Sequence, residues 1–106
     1  IELGNINVVR EFGDVRDVVS IYTRLAESNA PWGPFNICTG MGYSLYDVIK
    51  ILKEMTGHSP EIRIADKFVR PNEVHTLIGS SKYLEKNIGT TTRIPLEKTL
   101  HWMLEA

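Results

Sequence analysis

The feature that most constrains this chain is a change of apolar period around Asp14. Ile6, Val8, Arg10 and Phe12 alternate with Asn7, Val9 and Glu11, the period of two expected of a strand. From Val15 onward the spacing becomes helical, and Val15, Val18, Val19, Tyr22, Leu25 and Ala26 fall on one face. Asp14 stands at the N-cap, with Asp17 three residues on as the acidic partner of a capping arrangement. A strand running straight into an amphipathic helix is the building unit of α/β folds.

The unit repeats. Pro31, Gly33 and Pro34 end the first connection, and Phe35 to Thr39 is a short apolar strand candidate. Gly40-Met41-Gly42 supplies a tight turn. Ser44 then caps a second helix, with Asp47 at the third position. Leu45, Val48, Ile49, Leu52 and Met55 give that helix its apolar stripe, and Gly57 stops it. Glu61 to Ala65 alternates as a third strand. Asp66 to Val74 is irregular around Pro71, and Leu77 and Ile78 are extended at best. Ser80 or Ser81 caps a short helix through Ile88, closed by Gly89. Pro95 opens a last helix carrying Leu96, Leu100, Met103 and Leu104. The expected fold is α/β, a small mixed α+β lobe of one domain spanning 1–106.

Composition narrows the function classes. With twelve basic and thirteen acidic side chains among 106 residues, the net charge of -1 provides no basic footprint for nucleic acid. No apolar run approaches the roughly 20 residues a bilayer-spanning helix requires. Glu2, Asn5 and Asn7 interrupt the apolar start, so no signal-peptide pattern opens the chain. Cys38 is the single cysteine, and His58, His75 and His101 share no ligand spacing. A cytoplasmic, metal-free domain is the expectation. Ile1-Glu2-Leu3-Gly4 reads as the middle of a longer polypeptide, since no methionine opens it, and Ala106 follows a helical pattern without a cap.

Two patterns imitate cofactor chemistry. Tyr46 and Lys50 have the Tyr-x-x-x-Lys spacing of short-chain dehydrogenases, but no dinucleotide-binding unit precedes them. Both fit the wet face of an ordinary helix. Gly40-x-Gly42 lies between a strand and a helix, yet the third glycine of the dinucleotide fingerprint would fall at Leu45. A structural turn accounts for it.

Two arginines are harder to dismiss. Arg10 occupies the apolar face of its strand, where a guanidinium needs an anionic partner. An internal pair with Glu11, Asp14 or Asp17, or a side chain reaching to water, competes evenly with a bound anion. Arg70 precedes Pro71, which holds it extended and lowers the entropy lost on gripping a ligand. Glu73 is close enough to accept from sugar hydroxyls or to cap a turn. Two such arginines can fork onto a pyrophosphate through charge-assisted bidentate bonds. A loop arginine that is merely a solvated charge is the plainer alternative.

The run from Leu3 to Asp17, Leu-Gly-Asn-Ile-Asn-Val-Val-Arg-Glu-Phe-Gly-Asp-Val-Arg-Asp, resembles a segment of the extended short-chain dehydrogenases. The closest branch looks like the GDP-mannose 4,6-dehydratases and GDP-4-keto-6-deoxy-mannose reductases. Phe35-Asn36-Ile37-Cys38-Thr39-Gly40 followed by Ser44-Leu45 is similar to the next family element. Arg70-Pro71-Asn72-Glu73-Val74, then Leu77-Ile78-Gly79 and Ser81-Lys82, matches the family's Arg-Pro-x-Glu-Val and Gly-Asp-x-Ser-Lys region. Ile94 to Leu100 looks like its closing helix. The resemblance runs in order along nearly the whole chain. Ser80 stands where aspartate is usual, Thr90 where tryptophan often follows the glycine, and His75 where aspartate or an aliphatic residue is common.

The resemblance implies the C-terminal, substrate-binding portion of a Rossmann-type enzyme whose dinucleotide-binding domain is absent here. In that family the missing domain carries the glycine fingerprint, the catalytic Ser/Thr and the Tyr-x-x-x-Lys pair, so no catalytic residue is expected in this chain. By resemblance, Arg10 and Arg70 hold the nucleotide diphosphate, Glu73 bonds the ribose and Asn5 lies near the substrate. NAD or NADP would serve the whole enzyme, a homodimer or tetramer. Such an enzyme acts as a nucleotide-sugar dehydratase, epimerase or 4-keto reductase, on a GDP-hexose for preference. The rival reading is a non-catalytic module that binds a nucleotide or a partner protein.

Overall fold

The computed structural model describes residues 1–106, which group into two units: Ile1–Arg10 with Gly42–Leu77, and Glu11–Met41 with Ile78–Ala106. The class is mixed α/β, as the alternating periods require.

In the first unit, β1 (Glu2–Leu3) runs parallel to β4 (Arg63–Ile64), with Glu2 opposite Arg63 and Leu3 opposite Ile64. The sequence pattern placed a strand at 61–65 but gave no sign of β1, which is two residues long. Gly4 follows β1 against the Phe68 carbonyl, an approach that a Cβ would block. β2 is only Val9–Arg10, antiparallel to β3 (Tyr43–Ser44). The strand expected over residues 6–12 is cut short on both sides. Before it, the Asn5 side chain accepts from the Asn7 backbone N–H at 3.0 Å, a local turn that competes with ladder pairing. After it, Glu11 belongs to the other unit.

The free edge of β2 is taken by the segment after Glu73. Val9 N–H donates to the His75 carbonyl at 2.6 Å, and the Val9 carbonyl accepts from Leu77 N–H at 3.0 Å. Ser44 caps α2 (Leu45–Thr56): its hydroxyl accepts from Asp47 N–H at 3.1 Å, and the Asp47 carboxylate accepts from Ser44 N–H at 2.9 Å. Gly57 closes α2 in the left-handed region at φ 73°.

The second unit packs α1 (Val15–Glu27), α3 (Lys82–Ile88) and α4 (Leu96–Glu105) around Ile21, Leu84 and Leu96. Asp14 caps α1 as expected, accepting from Arg16 N–H at 2.8 Å. Its other oxygen accepts from the Thr99 hydroxyl at 2.6 Å and pairs with the Arg16 guanidinium at 2.8 Å. Asp17 does not complete a capping box; it accepts from Ile94 N–H at 2.8 Å. Arg24 donates to the Ile88 and Thr90 carbonyls. These long-range bonds fix which side of α1 turns inward.

The apolar stripe read from the sequence is therefore divided. Ile21 is buried and Val18 and Leu25 are half-buried, whereas Val15, Val19 and Tyr22 are 59%, 57% and 63% exposed. The same correction applies to α4, where Leu96 is buried but Met103 and Leu104 are exposed. The strand expected over 35–39 joins no ladder. No helix is long and apolar enough to cross a membrane.

Candidate functional site

All the residues singled out for substrate, Asn5, Arg10, Arg70 and Glu73, lie in the first unit. β2 positions Arg10, and the 75–77 segment bonded along its edge brings Glu73 back toward it. Arg10 Nη2 lies 3.3 Å from Glu73 Oε1. Nη1 donates to the Val9 carbonyl at 2.8 Å and to the His75 carbonyl at 3.3 Å. The internal partner of Arg10 is thus none of Glu11, Asp14 and Asp17, which are engaged elsewhere, but Glu73. A guanidinium has five N–H donors, and these contacts use Nη1 and one bond of Nη2, so Nε–H remains available for an anion.

Arg70 is exposed and forms no ion pair. It follows the 3-10 turn Asp66–Phe68 and precedes Pro71 and Asn72, whose φ of 58° marks a tight reversal. Glu73 is half-buried. Arg10 and Glu73 are brought into contact; Arg70 and Asn5 are placed in the same unit without bonding to that pair. Asn5 spends its side-chain oxygen on Asn7 N–H, leaving its amide donors as the groups able to meet a ligand.

The cofactor imitations fail on geometry. At the start of α2, Tyr46 N–H donates to the Ile6 carbonyl and Asp47 N–H to the Ser44 hydroxyl, and the Asp47 carboxylate, accepting from Ser44 N–H, stands where a pyrophosphate would have to sit. These residues do not fit a nicotinamide dinucleotide. Tyr46 is 58% exposed and Lys50 is exposed on the outer face of α2.

Two carboxylates of the second unit, Asp14 expected as a cap and Glu11 only as a possible partner of Arg10, carry more bonds than the sequence announces. Glu11 Oε1 accepts from the Thr39 N–H, the Thr39 hydroxyl at 2.7 Å and Gly40 N–H at 2.9 Å, while Oε2 accepts from Gly79 N–H. Partial burial alone would raise its pKa, but the bonds from Gly79, Thr39 and Gly40 outweigh it and hold it below the usual value. Asp14 is held far below the carboxylate range, chiefly by the Arg16 side chain, against burial and with help from Thr99. The Cys38 thiol is pushed up by burial and by Glu11, with Arg93 opposing. Every oxygen of both carboxylates accepts from a protein donor. These bonds staple the loops at 39–40 and 79 and the ends of α1 and α4. No group of His, Cys, Asp and Glu is arranged to hold a metal ion.

Residues 1–103 match the model of a protein family described as GDP-mannose 4,6 dehydratase. The GDP-6-deoxy-D-talose 4-dehydrogenase of Aggregatibacter actinomycetemcomitans is 38% identical over 93 residues, covering 88% of this chain and 32% of that protein. A solved structure from Burkholderia cenocepacia superposes with a TM-score of 0.94 at 40% identity, covering 99% of this chain and 35% of the other. The RMD protein of Pseudomonas aeruginosa, solved with NADPH bound, gives a TM-score of 0.87 at 28% identity, covering 99% and 34%. The chain therefore spans about a third of the length of these relatives.

Proposed function

The chain belongs to the GDP-mannose 4,6 dehydratase family, and from that membership we propose that it is the C-terminal, nucleotide-sugar-holding portion of a longer NAD(P)-dependent enzyme. The reaction of that enzyme is oxidation or reduction at the sugar's C4, with a GDP-hexose as the favoured substrate class. The single observation that carries the reading is the seating of Arg10. A guanidinium on an inner strand is fixed by two carbonyls and a carboxylate, yet keeps Nε–H for an external anion. A preset cation of this kind loses little entropy on binding.

The roles follow from chemistry. Arg10 and Arg70 take the diphosphate, Arg10 from a fixed position and Arg70 from an exposed loop. Glu73, already spending one oxygen on Arg10, offers the other to a ribose hydroxyl. Asn5 offers its amide donors to the sugar. Grip on the nucleotide, remote from the reacting carbon, is what orients the sugar for reaction. The nicotinamide and the proton-transfer groups belong to the rest of the enzyme, since the residues here do not fit a dinucleotide.

Turnover tests this reading. With NAD(P)(H) supplied, the longest polypeptide that the gene encodes should turn over a GDP-hexose, GDP-mannose or GDP-4-keto-6-deoxy-mannose, and the 106-residue chain alone should not. Turnover by the 106-residue chain would overturn the proposal, as would a complete gene product of this length.

A further inference from the structure

Tyr46 and Lys50 fail as a cofactor pair, but the structure gives them another setting. They lie one turn apart on the outer side of α2, and Lys53 follows three residues on, so the three side chains are neighbours. With Ile49 they form one wall of a cleft of about 310 Å³. Ser59, Pro60 and Ile62 form the other. The chain reaches that second wall by a fixed route. Gly57 ends α2 in the left-handed region, and His58 N–H donates to the Thr56 hydroxyl at 3.1 Å. Arg63 N–H then donates to the Ile1 carbonyl at 2.8 Å, which ties the segment to β1.

The lining specifies the ligand. Lys50 and Lys53 form no ion pair, and no carboxylate lines this cleft. Asp47 and Glu54 belong to a separate hollow with Gly42 and Tyr43, which Lys50 also borders. Two ammoniums and the Ser59 hydroxyl match the two charges and several acceptor oxygens of a phosphate monoester. A carboxylate would neutralise only one of the two cations. The remaining surface is apolar: Ile49, Pro60 and Ile62 are half-buried, beside the exposed Tyr46 ring. Such walls lack the carboxylates and amides that would hold sugar hydroxyls, whereas a tyrosine ring is a platform on which a base stacks. The volume falls within the range of small-molecule sites.

We propose that this cleft binds a nucleoside monophosphate, with the phosphate on Lys50, Lys53 and Ser59 and the base against Tyr46. None of Asn5, Arg10, Arg70 and Glu73 lines it, so it is a second site and does not rest on the diphosphate reading.

Calorimetric titration of AMP into the longest polypeptide that the gene encodes tests the proposal. AMP is the probe because a guanine nucleotide also suits the proposed diphosphate site, and inorganic phosphate probes the cations alone. Lys50→Gln with Lys53→Gln keeps both stems and should weaken AMP binding about tenfold or more. Tyr46→Leu, which keeps an apolar wall without the ring, should weaken it about fivefold or more. All three positions are exposed, so melting temperatures should hold. Arg70→Ala should leave AMP affinity unchanged. No AMP binding by the folded parent, or equal affinity in the lysine variant, would overturn the site. Phosphate binding as tightly as AMP would leave a bare anion site and overturn the nucleoside assignment. AMP affinity lost in Arg70→Ala but kept in the lysine variant would place the nucleotide in the diphosphate site, overturning this proposal and leaving the functional reading standing. AMP affinity that depends on the lysines, in a protein whose GDP affinity ignores Arg70, would support this site and sink that reading.

Discussion

Arg10 Nη2 sits 3.3 Å from Glu73 Oε1, across 63 residues of sequence. The pair ties β2 to the turn that follows Arg70, so it is structural as well as available to ligand. Arg10→Ala should cost about 1–2 kcal/mol of stability, because it leaves Glu73 half-buried without its cation and takes the second donor from the Val9 and His75 carbonyls. A double-mutant cycle with Glu73→Ala should return a coupling of about 0.5–1.5 kcal/mol. Urea midpoints at unchanged slope are the measurement; additive losses would mean the pair is not formed in solution.

Asp14 carries more. Its buried carboxylate caps α1, pairs with Arg16 and accepts from Thr99. Asp14→Ala should lower stability by about 2–4 kcal/mol, the sum of a lost cap and lost charge-assisted bonds. Thr99→Val, which removes one donor, should cost less than half of that in the same denaturation assay.

Glu11 predicts an acid response with a definite sign. Its folded pKa is lowered from 4.5, so its bonds stabilise the fold at neutral pH. That contribution is lost as pH falls from about 4.5 through the lower folded value. Glu11→Gln brings a second amide donor against backbone donors and should destabilise by roughly 1.5–3 kcal/mol at pH 7. The variant's loss of stability below pH 4.5 should be shallower than the parent's. Parallel acid arms in the two melting-temperature profiles would contradict this account.

Gly4 is a steric prediction. A methyl at this position meets the Phe68 carbonyl, a backbone group that would have to shift. Gly4→Ala should therefore cost about 2 kcal/mol, in the range of overpacked sites. A variant as stable as the parent would show that the 66–68 turn yields freely.

What was legible in the sequence was local. Ser44 with Asp47, Gly57 as a stop and Asp14 as a cap are encoded within four residues of their effect, and each is found in the structure. The inward side of α1 was not legible, because Arg24 and Asp17 choose it through bonds to residues 88, 90 and 94. Likewise nothing in the spacing announces that Glu73 is the partner of Arg10. The strand pattern at 35–39 misled, because the segment joins no ladder and its Cys38 carbonyl and Thr39 N–H bond to the Arg93 and Glu11 side chains, which spacing does not announce.

The central claim, that this chain grips a nucleotide diphosphate, is tested most directly at Arg70. The side chain is exposed and forms no ion pair, so removing it should leave the melting temperature nearly unchanged. As one arm of the diphosphate clamp it contributes a charge-assisted contact of about 1.5–3 kcal/mol. Calorimetric titration of GDP into the longest polypeptide the gene encodes should show Arg70→Ala binding about ten- to a hundredfold more weakly than the parent. Arg70→Lys should recover little of that, since an ammonium cannot reproduce the planar fork. Unchanged GDP affinity in Arg70→Ala would remove the residue from the site and contradict the account.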